Sequence, residues 1–509
     1  MTKAMFLAAG LAAGLAAAGG ARAQTACEAL TGVKLDHAAV TEAKLMPAAA
    51  NLPAYCRVLV TAKPTTDSDI RIEVAIPEGA AWNGRYLQVG NGGFAGTIPE
   101  SSIRIGLARG FATAGTDDGH QSQVGTDASW ALHHPEKITD FGYRALKETT
   151  VAARAIIAAY QAKAPAHAYF AGCSDGGREA LMEAQRYPDD FDGIVAGDPA
   201  NHWTHLLAAA AWNAQALSET PTSYIPAAKL KAIETAEQKA CGDADGVIEN
   251  PLQCHFDPAA IRCTGADSDQ CLTDAQVTAL KKIYAGPRDP RTGAHVLEGF
   301  DPGGEAEPGG WSVWVVGAAP GATGHAAQYE FSRNFYQYVA FGDPNYDIRK
   351  LTFGAQLDPI DAKWAPIFNA WSDDLSAFKA HGGKLIQYHG WADPAIPPRD
   401  SIAYFGRVHK KMGDTQGFYR LFMAPGMLHC GGGLGPGPVH GPALDAITVW
   451  VEQGKAPEEL VVAKHASDNP TGAPLRTRPL CSFPKVAEWD GKGDRGKAES
   501  WRCVAGKGG

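Results

Sequence analysis

The sequence predicts an α/β protein: a mainly parallel sheet with helices on both faces, interrupted by an inserted domain. Short apolar strand patterns alternate with helical patterns up to about residue 200, and the alternation returns at Lys384. Between these parts, residues 201–368 contain four cysteines, many Gly and Pro, clustered aromatic residues and no such alternation. A G-x-S-x-G pattern at 172–176 stands between a strand pattern and a helix pattern.

The elements follow from local sequence patterns, taken in chain order. Alternating or continuously apolar runs predict strands at 56–62, 70–76, 85–89, 111–114, 166–171, 194–197, 384–388 and 418–422. Apolar residues at helical spacing, with Pro or Gly at the ends, predict helices at 140–160, 177–187 and 443–453.

Four segments organise the chain. Residues 1–23 have a Lys near the start, an Ala/Leu/Gly run and an Ala-Arg-Ala cleavage pattern, which predicts a signal peptide and a secreted or periplasmic protein. We expect the sheet domain to comprise residues 24–200 and 369–509. Residues 201–368 would form a lid domain inserted between these two parts.

The charge balance argues against nucleic acid and anionic membranes as partners. The chain has 46 Lys and Arg against 55 Asp and Glu, a net charge of −9, which becomes −11 if residues 1–23 are removed. No stretch after residue 23 reaches about 18 uncharged apolar residues, so we expect no membrane span. The sequence leaves the oligomeric state undefined.

Ser174 is the candidate nucleophile. An apolar strand precedes it, helix-forming residues follow it, and the flanking Gly172 and Gly176 permit a sharp turn. This context is typical of the nucleophile elbow of a serine hydrolase, in contrast to an ordinary strand–helix turn.

A serine hydroxyl needs a base, and the base needs a group that orients it. Asp393 follows the strand at 384–388 and His429 follows the strand at 418–422, in the order Ser, Asp, His. Taken singly, Asp393 could be a turn residue and His429 one of 16 histidines. Their order and placement predict that His429 is the base and Asp393 orients it.

Two backbone N–H groups are expected to form an oxyanion hole. One belongs to Asp175, which directly follows the nucleophile. The other is expected from Gly92 or Gly93 in the loop after the strand at 85–89, although this stretch could also be a flexible loop.

The ten cysteines are even in number and all follow residue 23, which predicts disulfides in an exported chain. Sequence alone does not fix their connectivity. Neighbour pairing suggests Cys27–Cys56, Cys241–Cys254, Cys263–Cys271 and Cys481–Cys503, leaving Cys173 with Cys430. Cys173 precedes Ser174 and Cys430 follows His429, so this last bond would tie the nucleophile to the base, whereas two buried free thiols are the alternative. A zinc site is disfavoured because no C-x-x-C or H-x-x-x-H cluster exists.

These motifs together resemble the tannase and feruloyl esterase family, which includes mono(hydroxyethyl) terephthalate hydrolase. Cys173-Ser174, His429-Cys430 and the intervening His-Gly-Trp-Ala-Asp-Pro carry the resemblance, which extends through most of the chain. It implies an α/β-hydrolase core, a large lid, hydrolysis of esters of small aromatic acids without a cofactor for the chemistry, and the five disulfide pairs above.

Members of that family often bind a structural calcium ion on an Asp-rich lid loop between two cysteines. The corresponding loop is 241–254, with candidate ligands at Asp243, Asp245, Val247 and Glu249. It looks shorter than the family pattern, and one or two expected aspartates are absent. A calcium site and a solvated acidic turn both remain open.

The substrate is expected to contact the lid, where Trp311 and Trp314 offer flat apolar surfaces and Arg333 is the nearest candidate for binding an acid group. Feruloyl esterase, tannase and mono(hydroxyethyl) terephthalate hydrolase activities are not distinguished. A protein of another class, which binds phenolic ligands without catalysis, would be favoured by a missing triad member, and none is missing.

Overall fold

The computed structural model describes residues 25–319, 326–466 and 472–506. The predicted signal peptide lies outside the described residues. The 13 strands named in this part of the chain are β1 Ala38–Met46, β2 Tyr55–Ala62, β3 Ile70–Pro77, β4 Arg85–Val89, β5 Ala112–Thr116, β6 His167–Cys173, β7 Gly193–Gly197, β8 Lys384–Gly390, β9 Tyr419–Ala424, β10 Glu459–His465, β11 Pro474–Cys481, β12 Lys485–Trp489 and β13 Trp501–Ala505.

The helices surround the sheet or lie in residues 201–368, which we call the inserted region. They are α1 Glu100–Ala108, α2 Pro135–Thr139, α3 Ala145–Gln161, α4 Asp175–Arg186, α5 Trp203–Ser218, α6 Leu230–Cys241, α7 Asp274–Ala285, α8 Trp311–Trp314, α9 Ala327–Asn334, α10 Leu357–Phe368, α11 Ser376–His381, α12 Pro398–Met412 and α13 His440–Gln453. Among the described residues, no helix combines the length and apolarity needed to cross a membrane.

A nine-stranded sheet with the order β1-β2-β3-β5-β4-β6-β7-β8-β9 forms the centre of the fold. Strands β5, β4, β6, β7, β8 and β9 pair in parallel, whereas β1, β2, β3 and β5 pair antiparallel at the other end. The sheet is therefore mixed, with its parallel part in the centre and at the β9 edge.

Both faces of the central strands of the sheet are buried. In β6, Phe170 belongs to an apolar cluster with residues of α3 and α4, while the preceding Tyr169 belongs to a second cluster with residues of α1 and α13. Since successive strand residues point to opposite faces, a strand buried on both sides needs a continuous apolar run, and the sequence Ala168-Tyr169-Phe170-Ala171 supplies one.

The α/β architecture predicted from the sequence is present, with two additions. Strand β1 was not predicted because its residues are mostly exposed and only Ala43 is buried. The paired strands β10–β11 and β12–β13 near the C-terminus were not predicted either. Within the described part of 201–368 there is no strand of the central sheet. The division into sheet domain and lid remains a prediction.

Candidate active site

Ser174 lies between β6 and α4, with φ of 67° and ψ of −123°. A Cβ on Gly172 would lie 2.3 Å from the Gly176 carbonyl oxygen, and one on Gly177 would lie 2.2 Å from that of Gly197. Larger residues would therefore force the strand and helix apart. The glycines keep the turn sharp, as expected for a nucleophile elbow.

Asp393 and His429 meet although 36 residues separate them. Nδ1 of His429 lies 2.7 Å from Oδ2 of Asp393. The other oxygen, Oδ1, accepts the backbone N–H groups of Ala395 at 2.7 Å and Ile396 at 3.0 Å. These bonds fix the Asp393 carboxylate, which in turn orients the imidazole.

The two groups shift each other's protonation. Burial by itself would raise the pKa of Asp393, but the charge of His429 and hydrogen bonds from His389 and His429 lower it well below its usual range. Burial by itself would lower the pKa of His429, but the negative charge of Asp393 and the hydrogen bond to it raise that pKa. Asp393 is therefore ionised, and His429 is a stronger base than a buried histidine without a partner.

A disulfide joins Cys173 to Cys430, across 257 residues of sequence. It connects the residue before Ser174 to the residue after His429. The other four disulfides are Cys27–Cys56, Cys241–Cys254, Cys263–Cys271 and Cys481–Cys503. The five bonds are the pairs suggested by the sequence.

The loop after β4 packs against the start of α4. Its Asn91 carbonyl accepts the Gly176 N–H at 2.9 Å, and its Asn91 N–H donates to Oε2 of Glu179 at 2.9 Å. Burial and the nearby Asp175 raise the pKa of Glu179 to about 8, and Arg178 partly offsets this. These contacts hold the two chain segments from which the oxyanion donors were expected.

Of the two glycines proposed as donors, Gly93 lines the cleft and Gly92 does not. Gly93 and Asp175 line the same cleft as Ser174. The Gly92 N–H donates to Oδ1 of Asn91 at 3.0 Å, which favours Gly93 as the second donor, and the oxyanion role stays a prediction. A Cβ on Gly93 would lie 2.5 Å from the Gly125 carbonyl, and its φ is 61°, so a larger residue would be strained.

A small apolar cleft of about 50 Å³ opens next to Ser174. The residues lining it are Gly93, Ser174, Asp175, Ala200, Trp203, Leu206, Leu207, Ala210, Trp314, Gln328, Phe331, Ala395 and Ile396. The Trp314 ring lies 5.2 Å from the His429 ring and 6.2 Å from that of Phe331. Trp314 therefore bridges the cleft and the candidate base.

Two residues predicted to bind substrate lie elsewhere. Trp311 is 1% exposed and packs against Tyr284 and Phe300, because its apolar ring completes a core of the inserted region. Arg333 donates to Glu330 at 2.6 Å and to Gln337 at 2.9 Å, so local partners on its own helical segment engage its guanidinium. Neither lines the cleft.

Sequence reasoning missed two buried residues beside the Asp393–His429 pair. His389 is fully buried, with Nδ1 2.6 Å from Oγ of Ser401 and Nε2 3.2 Å from Oδ2 of Asp393. Asp198 directly follows β7 and is also fully buried. The sequence could have indicated Asp198 as a site residue, because it directly follows a predicted parallel strand, as Ser174 does.

The Asp-rich loop 241–254 does not fit a calcium ion. Oδ2 of Asp245 accepts hydrogen bonds from Arg476 and Arg478, each at 2.7 Å. Oε1 of Glu249 accepts a hydrogen bond from Arg478 at 3.0 Å. Oδ2 of Asp243 pairs with Arg495 at 2.7 Å. The Val247 carbonyl accepts the Asp243 N–H at 2.9 Å. Guanidinium groups thus bind oxygens that a cation would need.

Comparison with known proteins identifies the family. The family model described as tannase and feruloyl esterase matches residues 56–504. An uncharacterized esterase of Xanthomonas campestris is 41% identical, over 95% of this chain and 92% of its own. Mono(2-hydroxyethyl) terephthalate hydrolase of Piscinibacter sakaiensis is 32% identical, over 90% of this chain and 86% of its own.

Among solved structures, feruloyl esterase B from Aspergillus oryzae superposes with a TM-score of 0.84 at 27% identity, covering 94% of this chain and 99% of its own. The sheet is thus that of an α/β-hydrolase. The chain belongs to the tannase and feruloyl esterase family and is a carboxylic ester hydrolase.

We expect replacement of both Cys173 and Cys430 by Ser to lower kcat about tenfold to a hundredfold and to raise KM less, because the bond positions groups that are already present. Loss of the cross-link should also cost about 2–5 kcal/mol of unfolding free energy. Steady-state kinetics and thermal unfolding measure the two effects. Replacing Cys263 and Cys271, which span only 8 residues in the inserted region, is the control and should leave kcat unchanged. Equal kcat in both double variants would contradict the positioning role.

We expect calcium and chelators to leave the melting temperature unchanged, because arginines already neutralise the loop 241–254. Arg478→Gln should lower the unfolding free energy by about 3 kcal/mol, since Arg478 is 2% exposed, Glu249 would lose its partner and Asp245 would keep only Arg476. Arg502→Gln, which removes an exposed arginine of β13, is the matched control. Thermal unfolding with and without calcium is the measurement, and a calcium-dependent rise in the wild-type melting temperature would refute the expectation.

Proposed function

We propose that this member of the tannase and feruloyl esterase family is an exported serine esterase that cleaves esters of feruloyl-type aromatic acids. The cleft beside Ser174 carries this proposal, because the indole rings of Trp203 and Trp314 and the phenyl ring of Phe331 line it. Flat apolar walls suit an aromatic acyl group. The predicted signal peptide at 1–23 and the five disulfides support export to an oxidising compartment.

In the proposed mechanism, Nδ1–H of His429 donates to Asp393, which leaves Nε2 as the base. Nε2 takes the proton of the Ser174 hydroxyl while Oγ attacks the ester carbonyl carbon. The N–H groups of Asp175 and Gly93 stabilise the negative oxygen of the tetrahedral intermediate. Collapse of the intermediate breaks the bond to the alcohol oxygen, and that oxygen receives the proton from His429.

The second half of the reaction repeats these steps with water. The acyl group is now bonded to Ser174, and His429 removes a proton from the attacking water. The second tetrahedral intermediate releases the aromatic acid, and Ser174 regains its proton from His429.

The polar groups of the cleft favour a feruloyl over a galloyl acyl group. The side-chain N–H groups of Gln328 donate to the carbonyls of Pro394 and Ala395, and its side-chain oxygen accepts from Asn213. The amide is therefore already hydrogen-bonded within the protein. The indole nitrogen of Trp203 is buried and not exposed to the cleft. A wall with so few free polar groups suits the single hydroxyl and the methoxy group of a feruloyl ring, whereas the three hydroxyls of a galloyl ring would leave more polar groups unpaired.

The residues that line the cleft also argue against a terephthalate monoester as substrate. Its free carboxylate would need a cation, and the cleft wall formed by described residues includes no Lys, Arg or His. An anionic group buried without a cation is strongly disfavoured.

We expect Ser174→Ala to lower kcat by on the order of 10⁶ while the fold is retained, because only binding and the oxyanion donors remain. Asp393→Asn should also be severely impaired, and the double variant should be no worse than Ser174→Ala, because the residues act as one unit. Kinetics and circular dichroism provide the test. Activity of Ser174→Ala within tenfold of the wild type would exclude Ser174 as the nucleophile, and a folded wild type that binds phenolic acids without turnover would indicate the binding-protein alternative.

We expect methyl ferulate to be turned over with a kcat/KM about tenfold or more above that of methyl gallate or mono(hydroxyethyl) terephthalate, since each unpaired polar group costs about 1–3 kcal/mol. The measurement is a turnover panel of the three esters on the purified protein. A higher kcat/KM for methyl gallate would indicate a tannase, and a higher value for the terephthalate monoester would indicate a terephthalate monoester hydrolase. Either result would reject the feruloyl assignment while leaving the serine mechanism intact.

A further inference from the structure

Asp198 is a second buried carboxylate beside His429. It follows β7 directly, its side chain is fully buried, and its φ is 37°, which is uncommon for a residue other than Gly. Its N–H donates to the carbonyl of Tyr388 at 2.9 Å. A strained backbone conformation thus places a carboxyl group in the buried interior. A buried carboxylate is unfavourable unless hydrogen-bond partners are present.

The partners are backbone donors at the end of β8, which leads into the Asp393 loop, and in the loop that carries His429. Oδ1 of Asp198 accepts the Gly390 N–H at 2.7 Å, three residues before Asp393. Oδ2 accepts the Cys430 N–H at 2.9 Å, in the residue after His429. One carboxylate therefore holds both loops against the end of β7.

The same carboxylate faces the candidate base. A carboxylate oxygen of Asp198, one of Asp393 and a ring nitrogen of His429 all lie within 4.8 Å of one another. Two acids thus act on one imidazole, although only Asp393 is hydrogen-bonded to it. Asp393 fixes the direction of the ring, and Asp198 adds negative charge near it.

The titratable groups around Asp198 come from β8 and the loops that follow β8 and β9. They are Tyr388, His389, Asp393 and His429. Burial raises the pKa of Asp198 to about 6; His389 and His429 lower it, and Asp393 raises it. Nε2 of His389 lies 3.9 Å from Oδ1 of Asp198, so a second imidazole offsets part of the repulsion between the two acids.

We propose that Asp198 is a positioning residue of the esterase site, which fixes the loops of Asp393 and His429 and electrostatically stabilises the protonated form of His429. This inference rests on the proposed triad. Asp198 does not touch the reacting atoms; it acts through the backbone of Gly390 and Cys430 and through its charge. Since His429 is protonated in the tetrahedral intermediates, the charge of Asp198 lowers the barrier together with that of Asp393.

Asp198→Asn tests the charge separately from the fold. The substitution keeps the size of the side chain and removes the negative charge, so the pKa of His429 should fall. The acid limb of the kcat/KM profile reports deprotonation of the base, and we expect it to move to lower pH by about half a unit or more. We also expect kcat at the pH optimum to fall about tenfold or more. In the inactive Ser174→Ala background, NMR titration of the His429 ring should show the same downward shift when Asp198→Asn is added.

Glu183→Gln is the matched control. Glu183 is a fully buried acid on α4, and burial raises its pKa well above the usual range. This variant should leave the acid limb and the His429 titration in place. If Asp198→Asn does not fold, Asp198→Ser removes the same charge with a smaller side chain.

An unmoved acid limb and unmoved His429 titration in a folded Asp198→Asn variant would overturn the proposal, even if kcat fell. Equal shifts in Glu183→Gln would overturn it as well. Failure of the triad itself is distinguished by Ser174→Ala, because ester hydrolysis by that variant would refute the serine mechanism without reference to Asp198.

Discussion

The covalent bond between Cys173 and Cys430 is the constraint on which the candidate site depends. Ser174 and His429 are 255 residues apart in sequence and belong to loops after β6 and β9. The parallel pairing of these strands through β7 and β8 brings the loops to one edge of the sheet. Loops are the more mobile parts of such a fold, so strand pairing alone brings the groups near one another, and the disulfide limits their remaining relative motion.

The loops after β7 and β8 complete this arrangement. Asp393 accepts hydrogen bonds from two backbone N–H groups of its own loop and from the His429 imidazole. These three bonds fix the carboxylate. Asp198 bonds to backbone donors on the two neighbouring loops. Charged groups that would be unfavourable singly in a buried site are stabilised because each is bonded to another member of the cluster.

The inserted region lines much of the cleft and also contacts the C-terminal segment of the chain. Trp203 and Trp314 belong to it and place aromatic surface next to Ser174. Its disulfide-closed loop 241–254 is held by Arg476, Arg478 and Arg495 of the C-terminal segment. Guanidinium groups are permanently charged and bind carboxylates in a fixed geometry, so they supply the positive charge that a bound cation would otherwise provide. The C-terminal hairpins thereby become part of the support of the inserted region.

The sequence by itself determined the class of fold, the central strands and the candidate triad, because strand–turn–helix signals and the order Ser174, Asp393, His429 are local features with a fixed topological meaning. It also suggested the five cysteine pairs. Tertiary structure decided the residues whose role depends on partners distant in sequence: Asp198 beside His429, the arginines on the Asp-rich loop, Gly93 in preference to Gly92, and the burial of Trp311. A sequence pattern shows what a side chain can do, whereas its actual charge, exposure and bonding are set by neighbours that only the folded chain brings within a few ångströms.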